Sequence, residues 1–373
     1  MHLTELVMAK KKKGALTTAQ RKRRRARNIF LLFVETIVIA VLAAALWFFV
    51  LPISSLGKVD IDRARIATEM NEGIADLDSL RDYRTIALFG VDSRNQQLGQ
   101  GTLSDVIIIA AINTRSGEIR LCSVYRDTYL SIGKDSGGND FFTKCNAAYS
   151  AGGPEKAITM LNKSLDLNIT DFVTVGFEGL ADTIDALGGI EVDVMEEAVH
   201  YTNLYQIGMS QEMGREPDPE LTHGGMQTLT GKQATAYCRI RYIAGDDFAR
   251  ASHQRDVLMA TFQKAKAASL PQLIRVAESV FPETYTSMSF ADITGLLAKI
   301  GSFNIGGQAG FPQMDRLTAG LMGKQGSCVV PMDLVSNVSW LHEYLYNDPG
   351  YQPSAQVRTY SETIARHVAE YIH

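Results

Sequence analysis

Two groups of charged and polar residues, far apart along the chain, have side chains suited to a diphosphate and a metal ion. The first group consists of Asp92, Asp105 and Arg126. The second consists of Arg239, Arg241, Arg250 and Gln254. An arginine guanidinium presents a planar fork of donors that matches phosphate oxygens, and a hard ion such as Mg²⁺ is held by one or two carboxylates together with phosphate oxygens. If folding brings the two groups together, they predict metal-assisted phosphate chemistry.

Each group also has a purely structural interpretation. Aspartate is common in turns, where its side chain hydrogen-bonds to the nearby backbone. Considered one at a time, Asp92 and Asp105 are each explained as ordinary turn residues. Two neighbouring carboxylates without a cation would repel each other, however, and raise the pKa of one of them; Arg94 also lies close by in the sequence. For the second group the alternative is a helix covered in ion pairs, which explains poorly why Arg239 and Arg241 alternate within an apolar and aromatic stretch.

The elements that position the first group are three predicted strands. Apolar runs rich in β-branched residues place them at residues 85–91, 106–112 and 119–124. Residues 113–117 are a short, glycine-containing connector typical of a hairpin. An antiparallel hairpin puts Asp105 and Arg126 at the same end, and Asp92 joins them if the first strand is an antiparallel neighbour too.

Strands alternate with helices further along the chain, which predicts an α/β fold. Helices are expected at residues 154–167, 180–187 and 334–346, and strands at residues 172–177 and 190–194. Residues 202–226 lack apolar periodicity and predict a mobile loop. Helices on both faces of the strands give an α-β-α sandwich with a central mixed sheet.

An apolar segment near the N-terminus predicts one transmembrane helix. Residues 29–53 contain a single charged residue, Glu35, and about 20 apolar residues suffice to cross the hydrocarbon core of a bilayer. Lys and Arg crowd residues 1–28, so this tail is expected in the cytoplasm and the rest of the chain outside the cell membrane. A cleaved signal peptide is the alternative, although its apolar core is usually only about 7–15 residues long.

Composition divides the rest of the chain into three parts. Residues 54–82 are mixed and polar and predict an extracellular stalk. Residues 83–348 predict the domain that carries both charged groups, with its core at residues 85–266. Residues 349–373 predict a C-terminal tail.

The charge distribution argues against nucleic acid as a partner. Residues 1–27 carry ten Lys or Arg and one acid, so the rest of the chain has 27 basic and 40 acidic residues. Such an acidic part repels nucleic-acid phosphates, while membrane lipid is a sufficient partner for the basic tail. The four cysteines lack the paired spacing of a zinc or thioredoxin site, which leaves a bridged pair and buried thiols as alternatives: Cys122, Cys145, Cys238 and Cys328.

Six short motifs, in this order and at these spacings, resemble the LytR-CpsA-Psr family of bacterial cell-envelope proteins. They are residues 89–94 (FGVDSR), 104–105 (SD), 123–129 (SVYRDTY), 144–149 (KCNAAY), 185–192 (DALGGIEV) and 239–254. The resemblance covers residues 85–266 and continues more weakly to residue 346. The family's topology, with a short cytoplasmic tail, one anchor and an extracellular catalytic domain, agrees with the predicted anchor.

The resemblance implies a phosphotransferase. Such proteins move a glycopolymer, for example teichoic acid or capsule, from a polyprenyl diphosphate carrier to peptidoglycan, with Mg²⁺ as cofactor. In family terms Asp92 and Asp105 match the metal-binding acids and are catalytic together with Arg126. Further residues match groups that contact the diphosphate and its head group, namely Arg94, Arg126, Lys144, Arg239, Arg241, Arg250 and Gln254. Asp127, Asn146 and Asp247 match positions that hold the site in shape.

The chain departs from the family pattern at three positions. Leu103 and His253 each stand where the family usually has arginine, and Tyr125 replaces the usual proline before Arg126. Two expected positive charges are therefore missing, which predicts altered substrate choice more than loss of activity.

Two other functions fit the same residues. A diphosphate hydrolase would use water as the acceptor on the same site. A non-catalytic, lipid-binding regulator of envelope synthesis would tolerate the missing charges. The glycopolymer, its acceptor position and the general base are not specified by the sequence.

Overall fold

The computed structural model describes residues 57–58, 61–92, 98–241, 246–269, 272–273, 276, 284–288, 292, 295–296 and 299–371. The predicted basic tail and the predicted transmembrane helix at residues 29–53 lie outside these ranges, as does Arg94. Within them, none of the helices combines the length and apolar character needed to span a bilayer.

A mixed sheet of seven strands forms the centre of the domain. Its strands are β1 (Gly57–Lys58), β2 (Tyr83–Val91), β3 (Ser104–Asn113), β4 (Glu118–Val124), β7 (Asp171–Gly176), β10 (Thr284–Thr286) and β11 (Asn304–Phe311). They are ordered β1-β10-β7-β2-β3-β4-β11. β2, β3 and β4 are antiparallel neighbours, whereas β7 runs parallel to β2 and β11 runs parallel to β4. The three strands predicted at residues 85–124 are thereby confirmed.

Three two-stranded ribbons flank this sheet. They pair β5 (Tyr129–Lys134) with β6 (Asp140–Lys144), β8 (Ile190–Val194) with β9 (Gly225–Leu229), and β12 (Leu317–Leu321) with β13 (Ser327–Pro331), all antiparallel. The predicted strand at residues 190–194 is confirmed as β8.

Eight α-helices complete the described fold. They are α1 (Arg63–Thr68), α2 (Ala147–Leu165), α3 (Phe177–Ala186), α4 (Glu196–Glu212), α5 (Gly231–Tyr237), α6 (Asp246–Ala267), α7 (Leu334–Tyr346) and α8 (Ala355–Tyr371). The backbone of α2 breaks at Gly152 and Gly153, directly before Pro154, because proline cannot donate the helical hydrogen bond. The predicted start at residue 154 is therefore the start of the second half of α2.

Helices cover both faces of the sheet, which confirms the predicted sandwich. Successive side chains of a strand point to opposite faces. Phe89 and Ile109 pack in the cluster that contains α2, α7 and α8. Ile108 and Leu121 pack in a second cluster, which contains Leu258 of α6. In the described part of the chain all four cysteines are buried and free.

Parts of the predicted stalk and of the predicted C-terminal tail pack into the core of the domain. Ile66, Ile74 and Leu80 are at most 3% exposed and join the main core. α8 likewise buries Val357 and Ile364 in that core. These apolar residues are few and widely spaced among polar ones, so composition alone did not reveal that they form a buried stripe.

The loop predicted at residues 202–226 is also wrong, because residues up to 212 belong to α4. The buried side of α4 is mostly polar and includes Asn203 and Gln206. Asn203 exchanges two hydrogen bonds with the backbone of Leu221, and Gln206 does the same with Asp218. Hydrogen bonds, in place of an apolar stripe, thus hold α4 against the segment that follows it.

Candidate functional site

The predicted sheet edge carries the first charged group. Val91 at the end of β2 lies opposite Ser104 at the start of β3. Asp92 follows β2, Asp105 is the second residue of β3, and Arg126 lies just beyond the end of β4. The antiparallel register of these three strands therefore brings the groups to one edge.

Arg126 and Asp105 form a short ion pair at this edge. Arg126 Nη1 donates to Asp105 Oδ1 at 2.7 Å, and the two side chains are 17% and 22% exposed. Arg241 Nη2 lies 4.0 Å from the same carboxylate oxygen. Asp105 thus orients one guanidinium directly and attracts a second.

The segment after α5 brings two arginines of the second group to the same edge. α5 begins with a capping box formed by Thr230 and Gln233. Beyond its end, Ile240 is fully buried, so the alternating Arg239 and Arg241 have their side chains on the other side of the segment. Arg239 Nη2 lies 3.7 Å from Asp92 Oδ2.

α6 supplies the remaining members of the second group. Arg250 and Gln254 are one helical turn apart, which places them on one face of α6, and they are only 4% and 8% exposed. Gln254 Nε2 donates to the carbonyl of Cys238 at 3.3 Å. This bond ties α6 to the segment that carries Arg239.

A cavity of about 230 Å³ lies where the two groups meet. It is lined by Asp92, Asp105, Phe177, Tyr205, Cys238, Arg239, Arg241, Arg250 and Gln254. Arg126 lines a narrow crevice beside it that shares Asp105, Arg250 and Gln254. The four arginines outnumber the two carboxylates, so the arrangement favours an anionic ligand.

Other predicted residues support Arg126. Lys144 Nζ lies 3.3 Å from Asp127 Oδ2, and Asp127 Oδ1 lies 3.7 Å from Arg126 Nε. The backbone N–H of Asn146 donates to the carbonyl of Arg126 at 3.1 Å. Lys144 does not line the cavity, and its contact with a diphosphate stays a prediction. The side chain of Asp247 lies outside the described residues, as Arg94 does.

Two of the departures from the family pattern lie close to the site. Leu103 is 49% exposed directly before Ser104 and Asp105. Tyr125 is buried and packs edge-on against Phe248, with ring centroids 4.7 Å apart. Tyr125 therefore fills the flank of the site beside Arg126 with an aromatic ring.

The third departure, His253, does not face the cavity. It is 2% exposed and packs on Tyr237, with ring centroids 4.1 Å apart. Burial lowers the pKa of His253 to about 4, so the side chain is neutral at physiological pH. A histidine here removes the family's usual charge and adds ring packing between α6 and α5.

The buried His253 predicts a loss of stability in acid. Because its pKa is about 4 in the folded chain and about 6.5 when unfolded, only the unfolded chain binds the proton between these values. The free energy of unfolding should therefore fall as pH drops through this window. Between pH 7 and pH 4.5, the free energy of unfolding of His253→Gln should fall by about 2 kcal/mol less than that of the wild-type chain. Urea unfolding at both pH values measures it.

The control for this prediction is the exposed His200. Burial also lowers the pKa of His342 to about 4. Because every variant retains His342, part of the acid sensitivity remains in each of them. His200→Gln should leave the difference between pH 7 and pH 4.5 unchanged. Equal behaviour of the two variants would contradict the assignment to His253.

Two residues that line the cavity were not predicted from the sequence. Phe177 follows β7 at the same sheet edge, and its ring centroid lies 5.1 Å from the guanidinium carbon of Arg239, a cation-π contact. Tyr205 lies on α4, where a loop was predicted. Phe177, like Asp92, directly follows a strand of the sheet and could have been placed at this edge from the sequence, whereas no apolar pattern identified Tyr205.

The donor set fits a magnesium ion that shares its coordination with a substrate. In the described ranges, no group of three or more His, Cys, Asp or Glu is arranged to hold a metal. Asp92 and Asp105 nevertheless line one cavity with arginines. Mg²⁺ is commonly bound by one or two carboxylates, with phosphate oxygens and water completing its shell.

Comparison with known proteins decides the family. The model of the LytR_cpsA_psr family matches residues 57–307, which is more than half of the chain. The chain belongs to this family. Biofilm regulatory protein A of Streptococcus mutans is 31% identical over 220 residues, covering 56% of this chain and 51% of that protein.

Other proteins similar to this chain carry more specific names. The polyisoprenyl-teichoic acid–peptidoglycan teichoic acid transferase TagV of Bacillus subtilis is 28% identical over 196 residues, 52% of this chain and 47% of TagV. The match thus spans about half the length of these curated relatives. The structure of YwtF (TagT) with bound octaprenyl pyrophosphate lipid has the same fold, with a TM-score of 0.54 at 20% identity over 79% of this chain and 100% of that one.

Proposed function

We propose that this protein is a phosphotransferase that moves a glycopolymer from a polyprenyl diphosphate carrier to peptidoglycan. One observation carries the proposal. Asp92 and Asp105 converge with Arg239, Arg241 and Arg250 around one cavity, although the two groups lie far apart in the sequence. A relative named as a teichoic acid transferase and a related fold with bound octaprenyl pyrophosphate support the same substrate class.

The arginines account for binding and for stabilisation of the transition state. Guanidinium groups match the oxygens of a diphosphate, and fixed positive charge lowers the energy of the charge that develops during phosphoryl transfer. Arg126 is held by Asp105 and Arg239 is held over Phe177. The donors are therefore oriented before the substrate arrives.

The reaction forms one bond and breaks another. A hydroxyl of the acceptor glycan attacks the phosphorus next to the donor sugar, and the phosphoanhydride bond to polyprenyl phosphate breaks. Asp92 is the better-placed acceptor for the hydroxyl proton, because Asp105 already receives the hydrogen bond of Arg126. When bound by Asp92 and Asp105, Mg²⁺ would neutralise charge on the diphosphate.

The proposed setting is the outer face of the cell membrane. The predicted anchor at residues 29–53 would hold the domain beside its lipid-linked donor. The acidic chain beyond residue 27 leaves peptidoglycan, and not nucleic acid, as the proposed acceptor.

Mass spectrometry of the products tests the proposal. The full-length chain in detergent is incubated with a polyprenyl diphosphate-linked oligosaccharide and Mg²⁺, with and without a peptidoglycan oligomer. We expect a phosphodiester-linked product only when the oligomer is present. Release of free sugar phosphate at an equal rate under both conditions would identify a hydrolase, and an unchanged donor would favour a non-catalytic lipid-binding regulator.

Removal of the metal should stop the reaction. With EDTA we expect transfer to fall to the background rate and to return when Mg²⁺ is added in excess, because the diphosphate charge is then neutralised again. Asp92→Asn and Asp105→Asn should lose activity that excess Mg²⁺ does not restore. Asp315→Asn, at an exposed aspartate, is the control and should keep the wild-type rate. Full activity in EDTA would contradict the metal assignment.

A further inference from the structure

A second cavity, of about 510 Å³, lies away from the site. The β5–β6 ribbon separates the two: Tyr129 pairs with Lys144 near the site, and Lys134 pairs with Asp140 at the far end. Five residue steps along a strand correspond to about 17 Å. The far end of the ribbon forms one wall of this cavity, and α1, α2 and α8 form the others.

The carboxylates on these walls are already paired. Arg65 contacts Glu69 at 2.9 Å and Glu155 at 3.6 Å. Lys134 contacts Asp140 at 2.9 Å. Each of the three carboxylates of the cavity thus has an ion-pair partner, although Glu69 and Glu155 share Arg65.

Two lysines of α2 line the same cavity without such a pair. Across the described ranges, no carboxylate lies within ion-pair distance of Lys156 or Lys163. Both side chains are half-buried, and they are two helical turns apart, about 10 Å along the axis. Four basic and three acidic side chains line the cavity, so it has a net positive charge in a part of the chain that is acidic as a whole, and Lys156 and Lys163 are its cations without a carboxylate partner.

The position of Lys156 is set by packing. A Cβ atom on Gly152 would come within 2.8 Å of Lys156 Cβ, and one on Gly133 would lie 3.8 Å from Lys156 Cε. The lysine stem therefore lies between two glycines. The carbonyl of Lys163 accepts a hydrogen bond from Asn71 Nδ2 at 2.8 Å, which holds that turn of α2 as well.

We propose that this cavity binds an anionic glycan through Lys156 and Lys163. Thr159, Tyr360 and Gln356 on its walls offer hydroxyl and amide groups that suit the hydroxyls of a sugar. The three carboxylates disfavour a densely charged chain such as DNA, which carries about one charge per 1.7 Å. A glycan with widely spaced acidic groups satisfies both the lysines and the carboxylates.

The choice of an anionic glycan as ligand rests on the proposed function. The second cavity would give that polymer a second point of contact with the protein. A polymer bound at the diphosphate site by its first sugar would be held again further along its length. The binding measurement needs neither the lipid carrier nor transfer activity. Failure of one proposal is therefore distinguishable from failure of the other.

Calorimetric titration of the full-length chain with tetragalacturonate tests this assignment. Maltotetraose is the neutral probe and inorganic phosphate the small-anion probe. We expect the acidic tetrasaccharide to bind at least tenfold more tightly than the neutral one, with an affinity that falls as salt is added. K156Q/K163Q should weaken binding about tenfold, since each partly exposed charge pair is worth up to about a factor of five.

The control is K299Q/K324Q, which removes the same charge at two exposed lysines. It should change the affinity less than twofold. The proposal is overturned if both lysine pairs weaken binding equally, if maltotetraose binds as well as tetragalacturonate, or if Arg239→Ala abolishes binding. Displacement of the tetrasaccharide by an equal concentration of inorganic phosphate would also overturn it.

Discussion

Replacing Arg126 by alanine is expected to lower the rate of glycan transfer by about a hundredfold to a thousandfold, the usual effect of removing one oriented donor from a developing charge. Arg126 is largely buried, donates to Asp105 at 2.7 Å and lies beside a crevice shared with Arg250 and Gln254. The guanidinium therefore sits at a fixed position next to the proposed diphosphate. We expect the loss mainly in kcat, because the donor acts most strongly when charge moves to the leaving phosphate.

Arg126→Lys separates charge from geometry. Lysine keeps the positive charge but loses the planar fork, so this variant should recover only part of the rate. Arg115→Ala is the matched control, because Arg115 is an exposed arginine paired with Asp82 and is remote from the cavity lining. Circular dichroism melting of each variant verifies that the fold is retained. Wild-type kcat in a folded Arg126→Ala would remove Arg126 from the mechanism.

The strands that form the site could be predicted because their signal is local. β-branched residues fill β2, β3 and β4, and their hairpin connector is short, so the register that brings Asp105 and Arg126 to one edge follows from neighbouring residues. Asp92 lies at the same edge because β2 runs antiparallel to β3. No side-chain contact had to be known.

The residues that were missed depend on distant partners. Tyr205 reaches the cavity from α4, whose buried side chains are mostly polar and are satisfied by the backbone of residues 218 and 221. Hydropathy cannot identify such a helix, because its packing energy comes from hydrogen bonds. The ion pair of Lys144 with Asp127 likewise arises only when the β5–β6 ribbon has formed.

His253 shows the limit of comparison with a family motif. A motif position identifies a residue type but not the direction of its side chain. Here α6 turns Arg250 and Gln254 toward the cavity and His253 toward Tyr237. The missing charge therefore concerns the packing of α6 on α5 and not a direct contact with the proposed diphosphate.

Gly231→Ala should destabilise the fold by about 3 kcal/mol, near the upper end for overpacking of a tight contact. A Cβ atom at Gly231 would collide with the carbonyl oxygen of Ala181 and lie 2.6 Å from its carbon. Those atoms belong to the backbone of α3, so no side-chain rotation relieves the clash. The N–H of Gly231 also donates to Asp185 Oδ1 at 2.7 Å, and separating α5 from α3 weakens this bond.

Because Arg239 follows α5 directly, the displacement should lower transfer activity as well as stability. The matched control is Gly208→Ala in α4, where an added Cβ meets nothing within 4 Å. At that exposed helical position alanine should stabilise by up to about 1 kcal/mol. Thermal melting should therefore show a lower midpoint for Gly231→Ala, and an equal or slightly higher one for Gly208→Ala. If both variants melt at the wild-type temperature, α3 and α5 are not in the close contact that positions Arg239 over Phe177, and the cavity that unites the two charged groups would have to be built in another way.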